Sequence, residues 1–69
     1  VLSTDDIIRA VELRRQQDAD YRRELARAVR QKDEYELERL IKLAVLRVLG
    51  LATDVTFEVM REVSRRLRA

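Results

Sequence analysis

No cysteine occurs among the 69 residues, so disulfides, thiolate nucleophiles and cysteine-based zinc sites are excluded. Histidine is absent too, which removes the usual general base and the commonest metal ligand. There is no proline and one glycine, Gly50, so the turn chemistry of a β-rich fold is missing. Charge of one sign is also lacking: 15 basic residues against 13 acidic ones leave a net charge of +2, a mixed surface without polyelectrolyte character. No uncharged run comes near the length that a bilayer crossing requires, and no secretory signal pattern opens the chain. A soluble, cytosolic, non-secreted protein with no membrane partner is therefore expected.

What is present suits helices: 46% of the residues are hydrophobic and 41% charged. The size allows one domain, residues 1–69, whose core leaves stability marginal unless a partner adds to it. Thirteen of the 15 basic residues are Arg, a side chain suited to bidentate recognition of carboxylate or phosphate. The balancing acids point instead to a solvated surface. The most apolar stretch is Leu40 to Leu51, LIKLAVLRVLGL, with nine aliphatic residues, and the core is expected to gather there.

In chain order, Ser3 reads as an N-cap with Asp6 completing a capping box, and Leu2 and Ile7 occupy the positions of a hydrophobic staple. Ile7, Val11, Tyr21, Leu25 and Ala28 then fall on one seam, provided that Arg14 and Asp18 fill its two remaining places. Kept in phase, this is one helix of about 28 residues, roughly 42 Å long. The competing reading makes residues 14 to 20, RRQQDAD, a polar hinge with Asp18 as a cap. Asp33 and Glu36 form a second capping-box pattern and open a second helix, about 34–49. That helix has two apolar faces, one with Leu37, Leu40, Ile41, Ala44 and Val48, the other with Leu43, Leu46 and Leu49 in line with Tyr35. Gly50 stands where a left-handed cap belongs, with Leu51 placed to fold back in a Schellman motif. Thr53 is expected to cap a third helix, about 54–68, with the stripe Thr56, Val59, Met60, Val63 and Leu67. Acids lie at helix starts and bases at helix ends, matching the helix dipoles.

The expected fold is all-α: a three-helix bundle with a long first helix, assembling into a helical-bundle oligomer. A first helix of that length leaves Ile7, Ile8, Val11 and Leu13 uncovered at one end, which is a partner signal. In a two-fold dimer, Arg14 of one chain would meet Asp18 of the other and fix register, and leucines at both positions would raise stability while loosening it. The expected self-association surface comprises Ile7, Val11, Arg14, Asp18, Tyr21, Leu25, Leu43, Leu46 and Leu49.

Hydroxyls and carboxylates form no nucleophile, base and orienter set, so the reading is non-enzymatic, with no catalytic residue, cofactor, metal or small-molecule ligand. A homo-oligomer, most simply a dimer, is expected, with another protein as the further partner to consider. The regular capping and dipole-matched charges resemble those of a de novo designed helical protein. Val55, Thr56 and Val59 and the Arg-to-Lys ratio depart from that pattern. The alternative function lies in residues 40–66, where LRVLGLATDVTFEVMREV resembles a helix-turn-helix and implies a small DNA-binding domain. Thr56 departs from the aliphatic residue usual at its position. Asp54 and Glu58 would face phosphates and base edges, which disfavours nucleic acid as a partner.

Overall fold

The computed structural model describes residues 2–68, which form four helices: α1 (Thr4–Gln17), α2 (Ala19–Gln31), α3 (Glu34–Leu49) and α4 (Phe57–Arg68). Among the described residues there is no strand. The expected long first helix is therefore two helices, broken at Asp18, whose backbone is extended at φ −140° and ψ 110°. Its carboxylate accepts the amides of Asp20 at 2.9 Å and Tyr21 at 3.2 Å, while its own amide donates to the carbonyl of Arg14 at 3.1 Å. One aspartate thus closes α1 and opens α2, which is the hinge arrangement. A straight helix of roughly 42 Å has no room in a molecule whose longest extent is 29 Å.

The break has a plain energetic reason. Residues 14 to 20 offer no apolar face to keep a continuous helix on the core, and aspartate favours a cap over a helix interior. Turning at Asp18 lets α1 and α2 both pack on α3. As a consequence Ile7, Ile8 and Val11, expected to lie uncovered, are buried within the chain, and only Leu13 remains exposed.

Local chemistry sets the other boundaries. Ser3 caps α1 in a complete capping box: the Asp6 amide donates to its hydroxyl at 3.1 Å, and the Ser3 amide donates to the Asp6 carboxylate at 3.3 Å. At the α2–α3 joint, Lys32 adopts a left-handed conformation at φ 53°. The Lys32 amide donates to Val29 at 3.3 Å and the Asp33 amide to Ala28 at 3.0 Å. That pair of bonds is a Schellman motif built on a lysine. Asp33 caps α3 through the Glu36 amide at 3.1 Å, but its own amide is spent on Ala28. Only half of the expected second capping box forms, and Glu36 pairs with Arg39 instead.

Gly50 ends α3 at φ 68°, as its position requires, with its amide on the Leu46 carbonyl at 2.9 Å. Leu51 does not fold back onto the helix; it is exposed. The expected cap at Thr53 is displaced by three residues. The Thr56 hydroxyl accepts the Val59 amide at 3.2 Å and its carbonyl accepts that of Met60 at 3.1 Å, so α4 begins at Phe57. Val55, buried at 9% exposure, pins the connecting loop to the core. Burying that valine is worth about 2 kcal/mol, which outweighs the small gain from starting the helix earlier.

The core centres on α3, which packs against each of the other three helices. Leu40, Ile41, Ala44 and Val45 are fully enclosed there, facing Val11 from α1, Leu25 from α2 and Val63 from α4 within one cluster. Leu2, Val48, Met60 and Leu67 pack on its margin.

Candidate functional site

All three neighbours of α3 cover the same side of it. At 100° per residue, Leu46 points away from the midline of the buried set Leu37, Leu40, Ile41, Ala44 and Val45, with Leu43 and Leu49 flanking it. Leu46 is 52% exposed and Leu49 41%, Leu43 is half-buried, and Tyr35 lies bare at the start of the same helix. Among the described residues no helix covers this outer face, and the loop after α3 borders it beside Leu43.

Two shallow depressions flank it. One, of about 260 Å³, lies between α3 and the following loop and is lined by Arg39, Lys42, Leu43, Leu46, Ala52 and Thr53. The other, of about 400 Å³, runs between α1 and α3 and includes Leu13, Val48 and Leu49. Lys42 is held by Glu38 at 3.1 Å, and Arg39 pairs with Glu36 and reaches Glu24 of α2 at 3.9 Å. Both cations sit on the outer face itself, nearer in angle to Leu46 than Leu43 and Leu49 are, and these ion pairs draw their charges toward Glu36 and Glu38.

The other residues expected to mediate self-association lie elsewhere. Ile7, Val11, Tyr21 and Leu25 are core residues of the single chain. Arg14 and Asp18 pair within that chain at 2.9 Å, with side-chain exposures of 21% and 33%. The Arg14 guanidinium carbon also lies 6.0 Å from the centre of the Tyr21 ring, and its buried Nε has no hydrogen-bond partner among the described residues. Chiefly the Tyr21 amide, with Arg14 assisting, holds the Asp18 carboxyl below the usual carboxylate range. These six residues serve the core and the hinge of the single chain, which leaves Leu43, Leu46 and Leu49 of the expected set outside it.

Four of the hydroxyls are engaged structurally. Ser3 and Thr56 cap helices, Thr53 donates to the Asp54 carbonyl at 3.3 Å, and Tyr21 donates to the Leu40 carbonyl at 2.8 Å. Among the described residues no group of three or more carboxylates is placed to hold a metal ion, and no helix is long and apolar enough to cross a membrane. The helix-turn-helix spacing is not realised either. Residues 50–56 are non-helical, longer than the three- or four-residue turn of that motif, and Asp54 falls in the loop.

Sequence reasoning gave no role to Phe57, which the structure leaves 50% exposed beside Arg61, whose guanidinium lies 5.0 Å from its ring centre. The signal was present in the spacing of Phe57, Arg61, Arg65 and Arg68, which share one edge of α4. Comparison with protein-family models, with curated proteins and with solved structures gives no match.

Proposed function

We propose that the chain is a non-enzymatic helical interaction module that self-associates, most simply as a two-fold dimer, through the outer face of α3. The observation that supports this reading is the leucine row Leu43, Leu46 and Leu49, left open on the side of α3 opposite its three neighbours. The row is self-complementary. A two-fold axis beside Leu46 sets that residue against its own copy and brings Leu43 level with Leu49 of a second copy, the isologous arrangement of a homodimer.

Magnitudes fix how much more must take part. A specific interface covers roughly 600 Å² on each copy, about one-eighth of this chain's 4864 Å². Burying six part-exposed leucines contributes on the order of 6 kcal/mol, at the low end of the roughly 4–15 kcal/mol that association costs. Tyr35 and the aliphatic stems of Arg39 and Lys42 therefore join the contact, and the dimer is weak and concentration-dependent.

Light scattering after size exclusion, over a roughly hundredfold dilution spanning the micromolar range, tests this. Twice the chain mass of 8.2 kDa is expected at the concentrated end, falling on dilution. Leu46→Glu should hold the mass at 8.2 kDa throughout. A wild-type protein that is monomeric at every concentration overturns the proposal, as does a Leu46→Glu variant that remains dimeric.

A further inference from the structure

On a different side of the molecule, a groove of about 440 Å³ runs between the α2–α3 joint and α4. Its apolar lining comes from Val29, Leu37, Phe57 and Met60. Its rim is basic: Lys32, Arg61, Arg65 and Arg68 stand around it, against the single carboxylate of Glu34. Arg65 is paired with Glu62, but Lys32, Arg61 and Arg68 make no ion pair among the described residues. In a chain of net charge +2 this is a local concentration of positive charge.

We infer that this groove docks an acidic amphipathic helix of a partner protein. Three features select that occupant. The apolar floor asks for an apolar stripe, and a half-exposed Phe57 beside a pliable Met60 is the kind of anchor that helix-in-groove recognition uses. The rim asks for negative charge. The spacing asks for a helix: Arg61, Arg65 and Arg68 are four and three residues apart on α4, so their charges spread over roughly 10 Å along its axis. Carboxylates at i, i+4 and i+7 of a partner helix have the same spread, whereas a single phosphate or carboxylate reaches one arginine at a time. Nucleic acid would use the cations but leave the apolar floor uncovered, a poor exchange for a groove whose lining is largely hydrocarbon.

The probe is a fluorescein-labelled peptide of about four helical turns, with leucines along one face and glutamates flanking them, read by fluorescence anisotropy at two salt concentrations. Saturable binding that weakens with salt is expected, together with at least a roughly tenfold loss in the double variant Arg61→Glu, Arg65→Glu. A peptide with the same leucines and lysine flanks should not bind. Phe57→Ala, at an exposed position, reports on the floor without burdening the fold. No binding of the acidic peptide at low salt overturns the inference, and so does equal affinity for the two peptides. Duplex DNA or laurate binding more tightly than the acidic peptide would assign the groove to nucleic acid or to a small amphiphile instead. A change in oligomeric mass in the Arg61→Glu, Arg65→Glu variant would assign it to a second copy. Repeating the titration in Leu46→Glu separates this groove from the α3 face: unchanged peptide binding is expected whatever becomes of the dimer.

Discussion

The Tyr21 hydroxyl donates to the Leu40 carbonyl at 2.8 Å, a buried bond across 19 residues of sequence that ties the first turn of α2 to the middle of α3. It fixes how far α2 slides along the central helix. Tyr21 stands in the first turn after the Asp18 cap, so the residue that turns the chain and the residue that locks the turned helix are three apart.

Tyr21→Phe should lower stability by about 1 kcal/mol, the net worth of one such bond, as read by urea denaturation. The pH dependence is the sharper test. Burial pushes the Tyr21 phenol above its ordinary value. The native state therefore keeps its proton where the unfolded chain has released it, and stability is fully present below about pH 10 and lost progressively above that. Wild-type protein should show an alkaline decline in its urea midpoint that is shallower in Tyr21→Phe; parallel declines would mean that Tyr21 is not the group responsible.

Lys32 and Gly50 occupy similar left-handed backbone at φ 53° and φ 68°, one with a side chain and one without. Lys32→Gly should stabilise the protein by about 0.5 to 1 kcal/mol, because the strain of a Cβ in that region exceeds the extra freedom that glycine gives the unfolded chain. Gly50→Ala should cost about 1 kcal/mol. Its immediate chain neighbours aside, nothing among the described residues lies within 4 Å of where its Cβ would stand, so that cost is conformational. Paired urea titrations check both signs, and a destabilised Lys32→Gly would show that the lysine side chain contributes more than its backbone costs.

Much of this architecture is legible in the residues because caps and apolar periodicity are local. Ser3, Asp33 and Gly50 mark their boundaries by chemistry acting within one helical turn. The phase of α3 shows two apolar faces, but which of them stays open depends on where α4 packs, a property of the whole fold. The break at Asp18 was ambiguous because Arg14 and Asp18 satisfy both a coiled-coil layer and a cap; the deciding factor is the burial of Ile7, Ile8 and Val11, a property of the whole fold. That ambiguity sent Ile7, Val11, Tyr21 and Leu25 to the surface when they belong to the core. Thr53 and Thr56 are equally good caps, and the buried Val55 between them chose the second. A left-handed lysine has no sequence signature, so the Schellman motif at Lys32 could not be read in advance.

Asp18 contributes to the acid limb of the stability profile, as do Asp6, Glu36 and Glu62, whose carboxyls are also held low. The Asp18 carboxyl is held low by the Tyr21 amide and by Arg14, so its contribution is present above the ordinary carboxylate range, near pH 4, and is lost as pH falls through the lowered value. Asp18→Asn should keep a capping oxygen but make that limb shallower, as seen by thermal melts between neutral and acidic pH. Replacing Arg14 and Asp18 together by leucine, which the coiled-coil reading expects to stabilise, should instead lower the melting temperature, because it removes the cap of α2. A higher melting temperature would restore the continuous first helix.

Leucines of α3 should divide by face. Leu40 is fully enclosed, and Leu40→Ala should cost about 2 to 5 kcal/mol, a large fraction of the stability of a domain of this size. Leu46→Ala at low concentration should be nearly silent, since its side chain is half in water already. Concentration separates a bland surface leucine from an interface one. If a second copy covers Leu46, only the associated native state gains, so the wild-type melting temperature must rise with protein concentration by mass action. In Leu46→Glu the melting temperature should not change with concentration. A wild-type melting temperature independent of concentration through the micromolar range would leave the outer face of α3 facing solvent, and the size of the Leu46→Ala effect would then report nothing beyond local helix propensity.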